Sequence, residues 1–491
     1  MVVVVGGGAS GLGTAWDLLL RGIPVTVVEA EDIGRGTSGR FHGLLHSGGR
    51  YVVSDPRSAR ECREENDILR RIAPSAIEPT GGYFVGVGDQ DTSYIDEWLK
   101  GADQAGIPVR PVSRKELEEK VPGIRRESHA AYFVPDGVLE GFTLLTLLKD
   151  NIEKAGGTIL PNTRLEAVRH TNGRVSGVSV STRNGVLDIN CNVVVNAAGP
   201  WASDVAHLFD DGFSMQRAAG MMLIFANRMV PQVVNRLAPP GDGDIFVPHG
   251  ETVILGTTDV PQDSPEAPVP TRAEARRLLA LGSELFPAIE SWRVLRAFCG
   301  VRPLFQKDVR DVKSRYVSRD FSVIDHGARH GLEGAFSLVG GKWTTYRLMA
   351  ESVGDEVCMY LGVDTASITA STALSPVNRP GPAGGPLVCE CEGVTRDSLA
   401  SRMDWSVDDW RTGTWFAMGP CQGTMCAHRA IALRTPRYGP EHTLGELARL
   451  REERDKGMWP VAWGDNAREA VFNRAVRFQT LAEEAGSDEW E

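Results

Sequence analysis

The chain has 491 residues, a hydrophobic share of 42%, a formal net charge of −11 and eight cysteines, which are thinly spread apart from the last four. This length supports two or three domains around a large core, and the acidic balance argues against a general nucleic-acid surface. The cysteines are too sparse for a secreted disulfide scaffold, so we expect a reducing compartment. No segment approaches 18 consecutive apolar residues and no signal peptide is visible, which argues against a membrane span. An anionic substrate would be repelled on average and would need locally concentrated cations.

The first predicted element is a buried valine strand followed by a glycine-rich turn. Residues 2–5 are all valine, then come Gly6, Gly8 and Gly11, a helix to about residue 21, and a second strand that ends in Glu29. Glycines let the backbone approach a pyrophosphate at a helix N-terminus, and an acidic residue after the second strand can accept from ribose hydroxyls. The pattern predicts a dinucleotide-binding βαβ unit and leaves little room for a glycine-rich turn without a ligand.

Two later segments favour FAD over NAD. Residues 196–201 (NAAGPW) follow a buried strand, and residues 340–345 (GGKWTT) follow another strand and open a helix. Flavoproteins with this kind of start often return to the cofactor late in the chain, and amides at a helix N-terminus can stabilise negative charge on a reduced flavin. The intervening residues 215–330 are rich in predicted strands, which suits a sheet that covers a substrate.

The last quarter of the chain carries two close pairs of cysteines. One residue separates Cys389 from Cys391, four separate Cys421 from Cys426, and glycines surround the second pair. Four thiolates can hold a 2Fe–2S cluster or a structural zinc ion. The pairs of a zinc site usually have two to four intervening residues, so the single residue in the first pair favours the cluster. Such a cluster would take single electrons from a two-electron reduced flavin.

Six motifs in the first 350 residues together resemble FAD-dependent glycerol-3-phosphate dehydrogenases. In chain order they occupy 36–51, 196–201, 256–259 (GTTD), 300–304 (GVRPL), 318–320 (SRD) and 340–347 (GGKWTTYR). The cysteine module resembles the 2Fe–2S domain of bacterioferritin-associated ferredoxin. This pairing is similar to the A subunit of the anaerobic, multi-subunit glycerol-3-phosphate dehydrogenase rather than to the aerobic single-chain enzyme. The resemblance covers nearly the whole chain.

The resemblance implies an α/β fold with several parts. These are a Rossmann-like FAD-binding domain of the glutathione-reductase/D-amino-acid-oxidase type, an inserted antiparallel β-sheet substrate domain, a small cysteine-ligated domain and a helical tail. The expected bounds are 1–374 for the oxidoreductase, 375–386 for a Pro/Gly-rich linker, 387–435 for the 2Fe–2S domain and 436–491 for the tail. Within the oxidoreductase, FAD-binding parts are expected at about 1–80, 140–215 and 325–374, and substrate-covering parts at about 81–139 and 216–324. In the tail, Thr443 and Glu446 are spaced as a capping box.

The resemblance also implies the residues of the site. The expected cofactor contacts are Gly6, Gly8, Gly11, Glu29, Thr37, Ser38, His46, Val168, Ala198, Gly199, Trp201, Gly341, Lys342 and Thr344. The expected substrate contacts are Arg50, Tyr51, Arg302, Arg319 and Lys342, and the expected catalytic residues are His46, Arg302 and Lys342. The expected metal ligands are Cys389, Cys391, Cys421 and Cys426.

These residues suit the oxidation of sn-glycerol 3-phosphate to dihydroxyacetone phosphate. The reaction needs hydride transfer from C2 to flavin N5, removal of the hydroxyl proton, and cations for the phosphate, which arginine can grip bidentately. His46 is the leading acid–base candidate, although a structural histidine beside the flavin fits its position nearly as well. The aerobic relatives have a further histidine in the strand that corresponds to residues 220–225, and that strand has none here. The base therefore stays open.

Two other functions fit part of the pattern. One is an FAD oxidase or dehydrogenase of another small 2-hydroxy acid or amino acid, against which the phosphate-directed cations argue. The other is an iron–sulfur binding or delivery module on a degenerate flavin fold, against which the intact nucleotide motifs argue. For the leading function the expected partners are electron-accepting subunits or quinone. The expected location is the cytoplasm, with peripheral attachment to the inner face of the cell membrane through those partners.

Overall fold

The structure is a computed structural model that describes residues 1–305, 320–375 and 384–478. The predicted substrate ligand Arg319, residues 376–383 of the predicted linker and residues 479–491 of the tail lie outside these ranges. Within them, no helix combines the length and the apolar character that crossing a bilayer requires.

A six-stranded sheet forms the centre of the nucleotide-binding part. In order across the sheet its strands are Phe321–Asp325, Ala335–Gly340, Val193–Asn196, Val2–Val5, Val25–Val28 and Thr158–Leu160. The first of these pairs antiparallel with its neighbour, and the others run parallel. All four residues of the valine strand are buried, because a central parallel strand is covered on both faces. The carboxyl ends of neighbouring strands thus meet at one edge, where ligands bind to such sheets.

A second sheet has nine strands, and all of them come from the two stretches predicted to cover the substrate. They are Gly82–Gly86, Arg110–Pro111, Ala130–Val134, Gln216–Ala226, Val233–Arg236, Ile245–His249, Thr252–Gly256, Val260–Gln262 and Val294–Leu304. The pairs are antiparallel except that of Val233–Arg236 with Gly82–Gly86. The two longest strands pair with each other and place Arg302 opposite Ala218. The domain bounds themselves stay a prediction.

The other described strands form three small sheets, and the described part of the chain also contains fourteen helices. The small sheets contain Arg164–Thr171, Arg174–Thr182 and Gly185–Asn190; Leu44–Leu45, Ile77–Glu78 and Gly137–Leu139; and Leu387–Cys389 with Val394–Thr395. The helices are Ala9–Leu20, Pro56–Ile72, Asp89–Gln104, Arg114–Lys120, Gly141–Lys154, Ala202–His207, Arg272–Gly282, His326–His330, Tyr346–Leu361, Arg396–Ala400, Val407–Thr414, Ala427–Tyr438, Pro440–Met458 and Gly464–Phe478. Short 3₁₀ turns at Thr37–Gly39, Gly199–Trp201 and Trp343–Thr345 carry predicted cofactor residues.

The helix Pro440–Met458 connects the cysteine module to the nine-stranded sheet. On one side, its Leu447 packs in the same apolar core as Trp410 of the module. On the other side, a Cβ at Gly457 would lie only 2.2 Å from the carbonyl oxygen of Ala297, so helix and strand are in close backbone contact. The module is therefore fixed against the oxidoreductase part by this helix.

The predicted capping box of this helix is wrong. The helix begins at Pro440, directly after Gly439, and no side chain caps it. Thr443 lies inside the helix and donates its hydroxyl to the carbonyl oxygen of Gly439 at 2.9 Å. Glu446 instead accepts two hydrogen bonds of 2.8 Å from the buried guanidinium of Arg434. Because a proline fits the first turn without needing its missing N–H, the helix starts before the side-chain signal.

Candidate active site

A cavity of about 1040 Å³ opens at the carboxyl end of the valine strand, and Gly6 and Gly8 line it. Gly6 has a φ of +114°, and a Cβ there would lie 2.6 Å from the carbonyl oxygen of Ala197. A Cβ at Gly11 would lie 1.9 Å from the carbonyl oxygen of Gly6, so Gly11 lets the helix pack on the strand and does not itself line the cavity. The N-terminus of the helix Ala9–Leu20 opens into this space, where its dipole favours a phosphate.

Glu29 holds the glycine turn in place from the end of the second strand. One carboxylate oxygen accepts the amide of Gly7 at 2.6 Å, and the other accepts the amide of Glu31 at 2.9 Å. Burial raises the pKa of Glu29 above its ordinary value. A carboxylate still has acceptor positions beyond these two bonds, so the residue fits a ribose hydroxyl as predicted.

The turn that contains Thr37 and Ser38 joins the glycine cradle to two later parts of the chain. The hydroxyl of Ser38 accepts the amide of Ala9 at 3.0 Å, and its carbonyl accepts the indole N–H of Trp343 at 3.0 Å. The hydroxyl of Thr37 donates to the carbonyl of Val301 at 2.6 Å. These three bonds bring the late segment 340–345 and the strand that carries Arg302 to the same cavity.

Most residues predicted to contact the cofactor line this cavity. They are Gly6, Gly8, Glu29, Thr37, Ser38, His46, Ala198, Gly199, Trp201, Gly341 and Lys342. Thr344 does not line it: this residue is fully buried, and its hydroxyl accepts the amide of His46 at 3.3 Å, which supports the wall from behind. The contacts with a bound cofactor stay predictions, but the donor set, the volume and the glycine cradle fit a dinucleotide.

The structure does not place Val168 in the cavity wall. Its strand, Arg164–Thr171, lines the cavity only at its start, through Arg164 and Leu165. A register shift between Leu165 and Ala167 follows, and Val168 packs on the apolar core of the three-stranded sheet. The contact of Val168 with the cofactor stays a prediction. In the structure this strand reaches the cavity wall only through Arg164 and Leu165, because the irregularity after Leu165 interrupts the alternation of side chains.

Cations meet at the other end of the cavity, and each has a partner within the chain. Arg302 binds Asp259 at 2.9 Å and donates to Thr257 and to the carbonyl of Thr258. The Nη2 atom of Arg50 donates to both oxygens of Asp244, at 2.9 and 3.0 Å. The carboxylates thus fix the arginines in position while lowering the local positive charge.

Lys342 lies at the same end of the cavity. Its Nζ donates to the hydroxyl of Ser58 at 2.9 Å and lies 5.1 Å from the centre of the Tyr51 ring. Tyr51 in turn contacts the ring of His46, with 5.3 Å between the ring centres. The predicted substrate residues that the structure describes therefore converge on one region.

A second histidine, His42, lies beside His46, and the sequence motifs predicted no role for it. The two ring centres are 5.9 Å apart, and both residues line the cavity. Burial, together with the charges of Arg50 and Arg302, lowers the pKa of His42 to about 3. Its Nδ1 accepts the amide of Leu44 at 3.1 Å, so the neutral ring carries its proton on Nε2. His42 therefore offers an N–H donor and not a base at neutral pH.

The helix Pro440–Met458 adds residues to the cavity wall that sequence reasoning also missed. Glu453, Lys456 and Gly457 line the cavity, and Glu453 forms an ion pair of 3.1 Å with Arg40. No local motif marks these residues, since they reach the site only through long-range packing. The many charged residues of segment 443–456 are typical of an exposed helix and do not indicate this contact.

The four cysteines of the module lie near one another, with Cys391 exposed, Cys421 half-buried, and Cys389 and Cys426 buried. Hydrogen bonds link Cys426 to Cys389 and to Cys421, and Cys421 to Cys391. The bond with Cys426 lowers the pKa of Cys389 to about 7 and that of Cys421 to about 5. In the described part of the chain, no three of these sulfur atoms lie within 4.8 Å of one another. The hydrogen-bonded thiols thus form a row in the order Cys391, Cys421, Cys426 and Cys389, and this donor set fits a soft metal.

Three comparisons with known proteins bear on this site. Residues 1–347 match the FAD dependent oxidoreductase family. The chain is 36% identical to the A1 subunit of the anaerobic glycerol-3-phosphate dehydrogenase of Haloferax volcanii, over 98% of this chain and 90% of the relative. It is also 36% identical to the A subunit of the anaerobic glycerol-3-phosphate dehydrogenase of Escherichia coli (strain K12), over 97% of this chain and 95% of the relative.

Among solved structures, the chain is similar to the glycerol-3-phosphate dehydrogenase from Bacillus halodurans complexed with FAD. The TM-score is 0.60 at 19% identity, over 97% of this chain and 94% of that chain, which concerns the fold alone. The fold class predicted from the sequence is confirmed, and so is the resemblance carried by its motifs. The chain belongs to the FAD-dependent oxidoreductases and, within them, to the family of the A subunits of anaerobic glycerol-3-phosphate dehydrogenases.

Proposed function

We propose that the chain oxidises sn-glycerol 3-phosphate to dihydroxyacetone phosphate and passes the electrons through a 2Fe–2S cluster to partner subunits or quinone. Bound FAD supplies the acceptor for the hydride that leaves C2. The observation that carries the proposal is one continuous cavity with a glycine cradle at one end and cations beside two histidines at the other. Two relatives that match along nearly their whole length are named for this activity.

Arg302, Arg50 and Lys342 are proposed to hold the substrate phosphate, with Arg319 as a further ligand. Asp244 engages only the Nη2 atom of Arg50, and a guanidinium carries five N–H groups, so the paired arginine can still donate to an anion. Arg302 is fixed by Asp259 through Nη1 and by Thr257 and Thr258 through Nη2. Fixed cations of this kind cost little reorganisation when a phosphate binds.

His46 is proposed to take the proton of the substrate hydroxyl. The neighbouring His42 is a poor candidate because its Nδ1 already accepts a backbone amide. The ring of His46 contacts Tyr51 and His42, and the residue is nearly fully buried, so the proton transfer would occur away from bulk water. In this arrangement His42 orients the substrate by donating from Nε2, and His46 acts as the base.

The four cysteines are proposed to hold the cluster through which electrons leave. In the described residues no three of these sulfurs lie within 4.8 Å of one another, whereas Zn–S bonds of about 2.3 Å to a single zinc ion would place all four sulfurs close together. Cys391 is exposed, so a partner can approach the row from its side. We further propose that the protein reaches the inner face of the cell membrane through such partners.

Anaerobic reduction of the purified holoprotein tests the substrate. Glycerol 3-phosphate should bleach the flavin absorbance, whereas lactate, glycine and proline should not. The variant Arg302→Gln should bleach slowly with glycerol 3-phosphate and fully with dithionite, which separates a substrate defect from a lost flavin. Bleaching by a hydroxy acid or an amino acid alone would favour the alternative enzyme. A spectrum without flavin bands would favour a degenerate flavin fold.

Metal analysis of the same preparation tests whether the cysteines hold the iron–sulfur cluster through which electrons are proposed to leave. We expect about two irons per chain, bound by the four cysteines. The variant Cys391→Ser should lose iron while its flavin still bleaches with glycerol 3-phosphate, and Cys358→Ser, outside the module, should keep both. Zinc in place of iron would contradict the proposed exit without affecting the proposed oxidation.

A further inference from the structure

A cluster of one carboxylate and two imidazoles lies outside the cavity described above. His326 and His330 begin and end one short helix, so their rings lie four residues apart on one face. Nδ1 of His326 is 2.8 Å from Oδ2 of Asp211. Nε2 of His330 is 3.3 Å from that Nδ1 and 3.6 Å from the same Oδ2. Three donor atoms from two separate segments therefore converge on one point.

We propose that Asp211, His326 and His330 bind a divalent transition-metal ion of the zinc type. Ligand atoms bound to one such ion at about 2.0–2.2 Å are about 3–3.5 Å from one another. The three observed separations, 2.8, 3.3 and 3.6 Å, are close to one triangular face of that coordination sphere. Two imidazole nitrogens with one carboxylate oxygen suit Zn²⁺ and its neighbours, whereas Mg²⁺ and Ca²⁺ take oxygen ligands.

The second ring nitrogen of His326 is also hydrogen-bonded, as is usual for a histidine that binds a metal ion. This nitrogen, Nε2, is 2.8 Å from the hydroxyl of Ser337, and this second bond fixes the orientation of the ring. His326 is fully buried, whereas 23% of the His330 side chain is exposed. An ion can thus enter past His330, and water can complete its coordination.

Asp211 is oriented for the same role. The amide of Gly212 donates to its Oδ1 at 2.7 Å, which turns Oδ2 toward the two histidines. Arg329 also contacts this carboxylate, with its Nε 2.9 Å from Oδ2 and 3.1 Å from Oδ1. That guanidinium is about half exposed, so it can turn toward solvent when a cation occupies the site.

The ion would stabilise one wall of the cofactor cavity. Ser337, which contacts His326, also accepts from the side-chain amide of Asn196 at 3.0 Å. Asn196 accepts the amide of Ala198 at 3.2 Å, and Ala198 lines the cavity. Because an ion that binds only the folded chain raises its stability, Zn²⁺ should raise the melting temperature.

Zinc titration of the flavin- and cluster-loaded protein tests the site, with calorimetry and thermal melting as readouts. The wild type should bind one Zn²⁺ with a rise in melting temperature, and Mg²⁺ should cause no rise. His330→Asn should weaken binding at least about tenfold and abolish the rise, because it removes one of three protein ligands. His442→Asn, at an exposed histidine elsewhere, should behave as the wild type.

His326 is in the core, so the second variant is Asp211→Asn, which should also lose the zinc-dependent rise in melting temperature. Co²⁺ serves as a spectroscopic probe: its spectrum should show nitrogen and oxygen ligands, without a thiolate charge-transfer band. Equal zinc affinity in His330→Asn and wild type would overturn the proposal. So would a cobalt spectrum that shows thiolate ligands alone, or an absence of binding.

Discussion

The two ends of the cavity are held by different physical means. At the dinucleotide end, strand, turn and helix approach so closely that no side chain fits at Gly6 or Gly11. At the substrate end, charged side chains fix one another, as Arg302 and Asp259 do at 2.9 Å. The dinucleotide end therefore requires glycine, which has no side chain, at positions 6 and 11. The substrate end requires each arginine to have a carboxylate partner.

This difference predicts how each end responds to change. A backbone cradle cannot accept an added methyl group without moving, because the atoms it would meet are main-chain atoms. An arginine held by a carboxylate can instead share its remaining donors with an incoming phosphate. We therefore expect substitutions at the first end to affect cofactor retention and those at the second end to affect substrate turnover.

The largest effect is expected from Gly11→Ala. A Cβ there would lie 1.9 Å from the carbonyl oxygen of Gly6, so the turn must move. We expect loss of bound flavin and a free energy of unfolding lower by about 3 kcal/mol. Flavin absorbance per chain and urea unfolding measure the two quantities.

The matched control is Gly445→Ala. This glycine lies within the helix Pro440–Met458, and a Cβ there would meet no atom within 4 Å. The control should keep its flavin and gain up to about 1 kcal/mol, because alanine favours the helix. Full flavin content in Gly11→Ala would show that the cradle is more adaptable than its contacts indicate.

At the substrate end, Arg302→Gln should leave the flavin bound and reduce kcat/KM for glycerol 3-phosphate by about 100-fold. The change removes a charged donor and leaves Asp259 to repel the phosphate. Arg228→Gln is the control, since Arg228 is 25% exposed, like Arg302 at 23%, and pairs with Glu78 away from the cavity. Equal losses in both variants would mean that the effect comes from general destabilisation.

The same comparison explains how far the sequence could predict the site. The glycine cradle, Glu29 and the late segments have local signals, because close backbone packing restricts the residue type at each position. The carboxylate partners of the arginines have no local sequence signal. Asp259 is 43 residues from Arg302 along the chain, and Asp244 is 194 residues from Arg50. Which pairs form depends on strand pairing in the nine-stranded sheet, and that pairing is a property of the whole fold.

The protonation state of His42 could not be predicted from the sequence either. The sequence places a histidine there, but its charge state depends on burial and on two arginines supplied by other segments. These lower its pKa from 6.5 to about 3. As the pH falls below 6.5, the unfolded chain therefore binds a proton that the folded chain does not, and stability is lost progressively towards pH 3.

The smallest effect is expected from His42→Asn, which removes this proton linkage. Between pH 7 and pH 5 the wild type should lose about 2 kcal/mol through His42, at roughly 1.4 kcal/mol for each pH unit below 6.5. The difference in unfolding free energy between wild type and His42→Asn should therefore shift by that amount in favour of the variant. Urea unfolding at the two pH values measures it, with His442→Asn, at an exposed histidine, as the control. Parallel pH curves for wild type and His42→Asn would mean that His42 is protonated in the folded chain, and its assignment as a neutral donor would fail.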